Sequence, residues 1–306
     1  MAKYRILALA ASLCLLSGCG AAKVEAQQPV PPAPEVSTEE LPPLPPQKAE
    51  TIYTVTRSTS RTNYVSEDGI PILAATFHYP VLSAVRGDGM PLTGETEEEA
   101  AALAAAERFN EHFSSWANSD GVSEDAEIAM QDYAFRKAEG IDGPGGYDIE
   151  LDCTVYRTAR TVSVRGLYYV YIGGAHPNTV HLAWNFDLES GDFFGPEHLG
   201  GEELRTAVTE ELKRQSTLRA QEYGAEPAEL YWTDYESILA DWQSAAVSFG
   251  ETGMTVAYSP YELAAYAFGA QIYDIPYEFL EPYLSLQGMA LLGLAEEPGG
   301  EAPAVR

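Results

Sequence analysis

The chain has 306 residues and sets 18 Lys and Arg against 46 Asp and Glu, a formal net charge of −28. Such a field repels nucleic acid, anionic lipid and anionic wall polymers and attracts cationic proteins, although plain solubility outside a cell accounts for it equally well. Once the two ends are set aside, about 240 residues remain to fold, enough for one large domain or two modest ones.

Residues 1–18, MAKYRILALAASLCLLSG, place Lys3 and Arg5 ahead of an apolar run of about a dozen residues. That length suits the core of a secretory signal and is short for a membrane span. The run ends in Leu16-Ser17-Gly18-Cys19, which resembles the bacterial lipobox. The resemblance implies acylation of Cys19 as the first mature residue, and hence a lipid anchor on the outer face of the bacterial cytoplasmic membrane. An ordinary signal sequence with an incidental cysteine is the alternative. Residues 19–50 then read as a tether. Prolines at 29, 31, 32, 34, 42, 43, 45 and 46 favour extended polyproline and deny a packed core. A spacer is the simpler reading, and a proline-rich ligand for a partner domain the sharper one. Residues 291–306, with their ending EEPGGEAPAVR, are expected to be a disordered tail.

Within the folded part, residues 51–90 are β-rich, with IYTVTRSTSRTNYV followed by IPILAATFHYPVL. Thr96 to Trp116 reads as a helix, capped by Thr96, with Glu97 to Glu99 at its positive end and Leu103, Ala106 and Phe109 at helical spacing beside Ala102 and Phe113. A second helix is expected over Asp125 to Ala138. Gly143-Pro144-Gly145-Gly146 breaks the chain, and the boundary between two consecutive subdomains is placed there, 51–146 and 147–290. Cys153 follows in YDIELDCTVY; apart from Cys14 and Cys19 it is the only cysteine, so no disulfide braces the folded part, and a buried structural thiol is expected.

Beyond the break the pattern has period two. In TVSVRGLYYVYI, Val162, Val164, Tyr168, Val170 and Ile172 alternate, interrupted at Gly166; in VHLAWNFDL, Val180, Leu182, Trp184, Phe186 and Leu188 do the same, with His181, Asn185 and Asp187 on the other side. Both are expected as half-buried strands. Glu202 to Gln221 reads as an amphipathic helix, AVSFGETGMTVAYS as a hairpin marked by Gly250 and Gly253, AQIYDI as a strand, and Pro276 as the opening of a short closing helix. The fold class is α+β: an antiparallel sheet with helices on one face.

GGAHPN lies between the two alternating strands. Gly173 and Gly174 permit backbone angles closed to other residues, and Pro177 ends ladder pairing, so Gly173, Gly174 and Pro177 are read as a shaped corner. His176 then satisfies backbone groups or contacts a ligand. His176 and His181 are the obvious metal candidates, but no spacing supplies a third ligand from His78, His112, His198 or a carboxylate, and there is no H-E-x-x-H or C-x-x-C; no metal or other cofactor is assigned. No G-x-S-x-G elbow is present, and 46 acids leave too many carboxylate pairs to single out a glycosidase. The 19 tyrosines cluster in LYYVYIGG, EYGAEPAELYWTDY and AYSPYELAAYAFGAQIYDIPY, which suits a recognition surface and equally suits strands.

Three separated motifs, YIGGAHPNT, NFDLESGDFF and YSPYELAAYAFGAQIYDIPYEFLEPYL, together resemble the extracellular C-terminal domain of the RsiV type of anti-sigma factor, a domain that also precedes the catalytic domain in peptidoglycan deacetylases of the PdaC type. The similarity covers roughly residues 150–285. Residues 55–145 resemble the smaller domain that accompanies it. The resemblance implies an α+β fold whose best-understood role is binding lysozyme as a sensor. Three departures stand out: a lipobox in place of a spanning helix and cytoplasmic segment, the missing deacetylase motifs T-F-D-D-G and H-x-x-x-H, and Ala265 where the family often has proline.

The reading that follows is a surface-anchored lipoprotein whose ectodomain binds a macromolecule and catalyses nothing. A cationic protein such as lysozyme is the expected partner, nucleic acid is not, and Tyr258, Pro260, Tyr261, Tyr266 and His176 are the expected contacts. The alternatives are an enzyme or accessory domain acting on peptidoglycan, and a passive lysozyme inhibitor.

Overall fold

The computed structural model describes residues 37–40, 51–117, 120–141, 143 and 145–294. The expected signal, Cys19 and its lipid, and the tail beyond residue 294 lie outside the described residues. Two sheets organise the rest, in an α+β arrangement.

The larger sheet has its strands in chain order. A short strand β1 (Ser37–Glu40) pairs with β2 (Thr51–Val65), which forms a long hairpin with β3 (Pro71–Arg86). Threonine, valine, isoleucine and tyrosine dominate β2, side chains that fit a pleated surface, whereas β3 mixes them with alanine, leucine and two prolines. Helices α1 (Glu97–Ala117) and α2 (Asp120–Ala138) then carry the chain to β4 (Tyr147–Arg157), which pairs parallel to β3 from Leu73↔Tyr147 to His78↔Asp152. Strands β5 (Thr161–Tyr171), β6 (Asn178–Asp187) and β7 (Asp192–Phe194) follow, all antiparallel. The sheet thus continues across Gly143–Gly146, which lies in the connection from α2 to β4.

Helix α1 starts as its sequence indicates, with the Glu99 amide donating to Thr96 Oγ1 at 3.1 Å. Its buried stripe is Ala102, Ala105, Ala106, Phe109 and Phe113, whereas Leu103, expected on that face, is 39% exposed. Phe109 and Phe113 pack edge-on against Phe186 and Trp184 of β6. Asn110 serves a different purpose. Between His78, where its pairing with β4 ends, and the isolated bridge Val85↔Pro91, β3 has no strand on that side among the described residues, and there Leu82 N–H donates to Asn110 Oδ1 (2.7 Å) while Asn110 Nδ2 donates to Leu82 O (2.9 Å). A side-chain amide thereby covers a bare stretch of strand edge. Gly166 interrupts the apolar row of β5 because a Cβ there would lie 2.8 Å from Trp184 Cζ3. Cys153 is buried and its thiol is pushed up to about 12 by that burial, as a structural cysteine should be.

The second sheet has the order β10-β9-β8. It is reached through α3 (Glu202–Glu222), α4 (Pro227–Leu230) and α5 (Tyr235–Ala240), and comprises β8 (Ala246–Phe249), β9 (Gly253–Tyr258) and β10 (Gln271–Pro276), followed by α6 (Tyr277–Leu280) and α7 (Leu286–Leu292). Buried Leu204, Val208 and Leu212 of α3 join Trp242, Val256, Tyr273 and Ile275 in its core. Leu291 and Leu292, expected in the tail, are instead buried in this core.

The strands β5 and β6 are half-buried only in part. At one end their polar face is also buried, and Thr161, Ser163, Asn185 and Asp187 are nearly inaccessible. They form the seam with the second sheet. Ser163 Oγ donates to Asn185 Oδ1 (2.7 Å), Asn185 Nδ2 donates to Val247 O (2.9 Å), and the Phe249 amide donates to Ser163 Oγ (2.8 Å). Each buried polar group here has a partner, which is what makes its burial tolerable.

Candidate functional site

The loop 172–177 joins β5 to β6 as a hairpin connection. Gly173 and Gly174 have φ of 104° and 93°, backbone that side chains with a Cβ rarely adopt, so the corner is shaped by glycine as its sequence indicates. The loop delivers an exposed His176 to the surface.

A second turn, Ser259–Glu262, meets it. The Glu262 amide donates to Ser259 O (3.0 Å), and the Ser259 amide donates to Glu262 Oε2 (2.6 Å). Pro260 holds the second position and Tyr261 the third, with φ +73°. That is the pattern of a type II turn, whose third position favours glycine. Tyr261 is the only non-glycine residue with positive φ among the described residues. The turn is pinned from two sides: the His181 amide donates to Ser259 Oγ (3.0 Å), and Trp232 Nε1 donates to Tyr261 O (2.9 Å).

The two turns bring their rings together. His176 stacks on Tyr266 with centroids 3.7 Å apart and planes 15° from parallel; Tyr261 stands 5.4 Å from Tyr266. Tyr266 Oη donates to Pro177 O (3.0 Å), and His176 Nδ1 lies 2.9 Å from the same carbonyl. A carbonyl only accepts, so Nδ1 carries the proton. In the neutral ring Nε2 is then an acceptor, and Tyr261 Oη, 3.3 Å away, donates to it. The result is a ridge of three rings with Tyr261 47% exposed and Trp232 beside it at 39%.

Of the expected contacts, His176, Tyr261 and Tyr266 converge, and Pro260 sets the turn that presents Tyr261. Tyr258 does not belong with them: it is 3% exposed, its ring part of the second core, so alternation along β9 turns it inward. Trp232 and Ser259 were missed. Trp232 sits inside the tyrosine cluster ELYWTDY, whose composition was legible while its exposure was not. His181 is half-buried, burial and the nearby Arg165 lower its pKa, and its contribution is its backbone amide. Among the described residues no three His, Cys, Asp or Glu side chains group to hold a metal.

The ridge offers ring faces, one imidazole and two phenol hydroxyls, chemistry suited to stacking and cation–π contact. A separate groove over α1 is lined by Arg108, Glu111, His112, Ser114, Ser115 and Phe193. Its serines donate to backbone carbonyls one turn back, at Glu111 and His112.

No family model and no curated protein matches the sequence. Among solved structures, a member of the DUF3298 family from Bacteroides fragilis superimposes with a TM-score of 0.51 at 15% identity, covering 85% of this chain and 97% of that one. A DUF3298 family protein from Pseudomonas aeruginosa aligns with a TM-score of 0.40, also at 15% identity, covering 83% and 96%. The first of these likenesses establishes a shared fold.

Proposed function

We propose that this chain is a lipid-anchored bacterial surface protein whose folded part binds a strongly basic protein of the lysozyme type, as sensor or inhibitor. The observation that carries the reading is Tyr261. An exposed ring is held on strained backbone, pinned by Ser259 and Trp232 where glycine would sit at lower cost. Strain of this kind costs about 1–3 kcal/mol and persists where a side chain must be presented in one orientation. Large, rigid rings carry much of the energy at protein interfaces. The net charge of −28 speeds the approach of a cationic partner without fixing where it lands. The resemblance of YIGGAHPNT and YSPYELAAYAFG to RsiV-type and PdaC-type ectodomains supports this choice of partner class.

Surface plasmon resonance with a basic lysozyme at two salt concentrations tests the reading. Tyr261→Ala should mainly speed dissociation, and added salt should mainly slow association. No binding at micromolar lysozyme in low salt overturns it, and equal binding of any basic protein reduces it to charge. Turnover of muropeptides would point instead to an enzyme of peptidoglycan. The anchor is tested separately: palmitate-analogue labelling should be lost in Cys19→Ala.

A further inference from the structure

The groove over α1 combines an aromatic floor with a polar rim. Arg108, Glu111, His112, Ser114 and Ser115 come from α1, and Phe193 from β7. Together they border about 610 Å³, within the range of small-molecule sites. From Arg108 to Ser115 the helix rises about 10 Å, the length of a disaccharide.

The floor is held from beneath. His112 and Phe193 have ring centroids 4.5 Å apart, and Phe109, Phe186 and Trp184 of the core pack against them. His112 Nε2 is buried in this packing without a hydrogen-bond partner, while the ring itself lines the groove. A phenylalanine would fill the same space without leaving a nitrogen unsatisfied, so packing alone does not account for the imidazole.

The rim is polar and open to a ligand. Arg108 Nη1 donates to Gly191 O and to Asp192 Oδ1, both at 2.5 Å, which orients the guanidinium. Its Nε and Nη2, like the Glu111 carboxylate, have no partner among the described residues. Ser115 Oγ donates to His112 O (2.8 Å), so what it offers a ligand is an acceptor.

This lining selects by chemistry. Polar, open walls remove too little apolar area from water to hold a lipid. The net charge of −28, with Glu111 itself, disfavours a phosphate or carboxylate ligand, and Arg108 opposes a cation. A neutral polyhydroxylic ligand meets every term. A pyranose can lay its C–H face on the rings while the guanidinium donates to its hydroxyls and the carboxylate accepts from them.

We propose that the groove over α1 binds an uncharged, equatorially linked hexose chain, with Phe193 and His112 as its platform and Arg108 and Glu111 as its hydrogen-bonding partners. Phe193 pairs with Phe186, whereas the loop 172–177 lies at the other end of β6, roughly 25 Å along the strand. The site is thus separate from the ring ridge, and the inference stands whether or not lysozyme binds.

The test titrates the full chain with cellotetraose and, separately, chitotetraose, following backbone amide shifts by NMR. At least one sugar should shift Arg108–Ser115 and Phe193 with a Kd of about 1 mM and leave Gly173–Pro177 and Ser259–Glu262 unmoved. Glu111→Ala should weaken binding about tenfold, and Ser115→Trp, which fills the groove, should abolish it. Both residues are exposed, and unchanged shifts in β4 to β6 check that the variants fold. Tyr261→Ala should bind sugar as the wild type does. No shifts with either sugar at about 10 mM overturn the proposal. So do shifts confined to the ridge, or affinity that either groove variant leaves unchanged. Equal affinity for the anionic tetragalacturonate refutes the choice of an uncharged ligand.

Discussion

The His176 imidazole lies flat against the Tyr266 ring, 3.7 Å between centroids, although 90 positions separate them in the chain. Their contact depends on two turns, each closed by its own local chemistry and each placed by a strand, β6 for one and β9 for the other. Removing either turn should therefore disperse the ridge.

Tyr261→Gly and Tyr261→Ala separate strain from contact. Both delete the ring, but only glycine relieves φ +73°. The glycine variant should be more stable than the alanine variant by about 1 kcal/mol. Both should lose the same share of ligand affinity. Denaturant melts on the pair decide it; an alanine variant as stable as the glycine one means the backbone there is unstrained.

Gly174→Val should destabilise the chain by about 2 kcal/mol. A Cβ at this glycine meets nothing within 4 Å, so the cost arises from φ alone. Gly173→Val should cost about the same, since its Cβ would meet Tyr147 only at an ordinary contact distance of 3.4 Å and its φ of 104° again sets the cost. Urea unfolding of the two variants reads both values, and a silent Gly174→Val contradicts the account of the corner.

Asn185→Ala should cost about 2–3 kcal/mol, because it leaves Val247 O without its donor and the Ser163 hydroxyl proton without its acceptor in a buried seam. Calorimetry should show more than a shift in melting. As the seam weakens, the two cores should begin to unfold in separate steps. A single sharp transition with unchanged midpoint would rule out a holding role for this network.

His112 is packed among Phe113, Trp184 and Phe193, and its Nε2 has no hydrogen-bond partner. Burial lowers its pKa, so the folded chain holds the ring neutral where an unfolded chain protonates it. The stabilising effect of that neutral ring is complete above about pH 6.5 and is lost as pH falls below it. His112→Phe should flatten this slope and raise stability by about 1 kcal/mol through loss of an unsatisfied nitrogen. Melting curves from pH 5 to pH 8 measure it, and an unchanged slope assigns the dependence to other groups, His181 first.

Local order was legible where one interaction range governs it. The Thr96 cap, the alternation of β5 and β6 and the glycine corner are all decided by neighbours within a few residues. Ala265 has φ of −62° and ψ of 151°, values proline would also adopt. What escaped is what a second layer decides. Ser163 and Asn185 look solvent-facing by period two, and only a sheet laid across them makes them interior. Leu103 and Tyr258 fail for the same reason in opposite directions, one expected inside and found half out, the other expected at the surface and found buried. The ridge was legible as its parts, His176, Tyr261 and Tyr266, but not as one object.

The parallel pairing of β3 with β4 has a consequence in time. Every other neighbouring pair in the large sheet is antiparallel, and most are joined by a short hairpin connection that can close early; residues 73–78 must wait for residues 147–152, with two helices made in between. Closing so large a loop is slow compared with forming a hairpin. During synthesis the β2–β3 hairpin emerges first and stands with one long side bare until β4 arrives. Residues 73–78 are thus where a partly made chain is most open to a wrong partner, and the late docking of β4 is the step that ends that exposure.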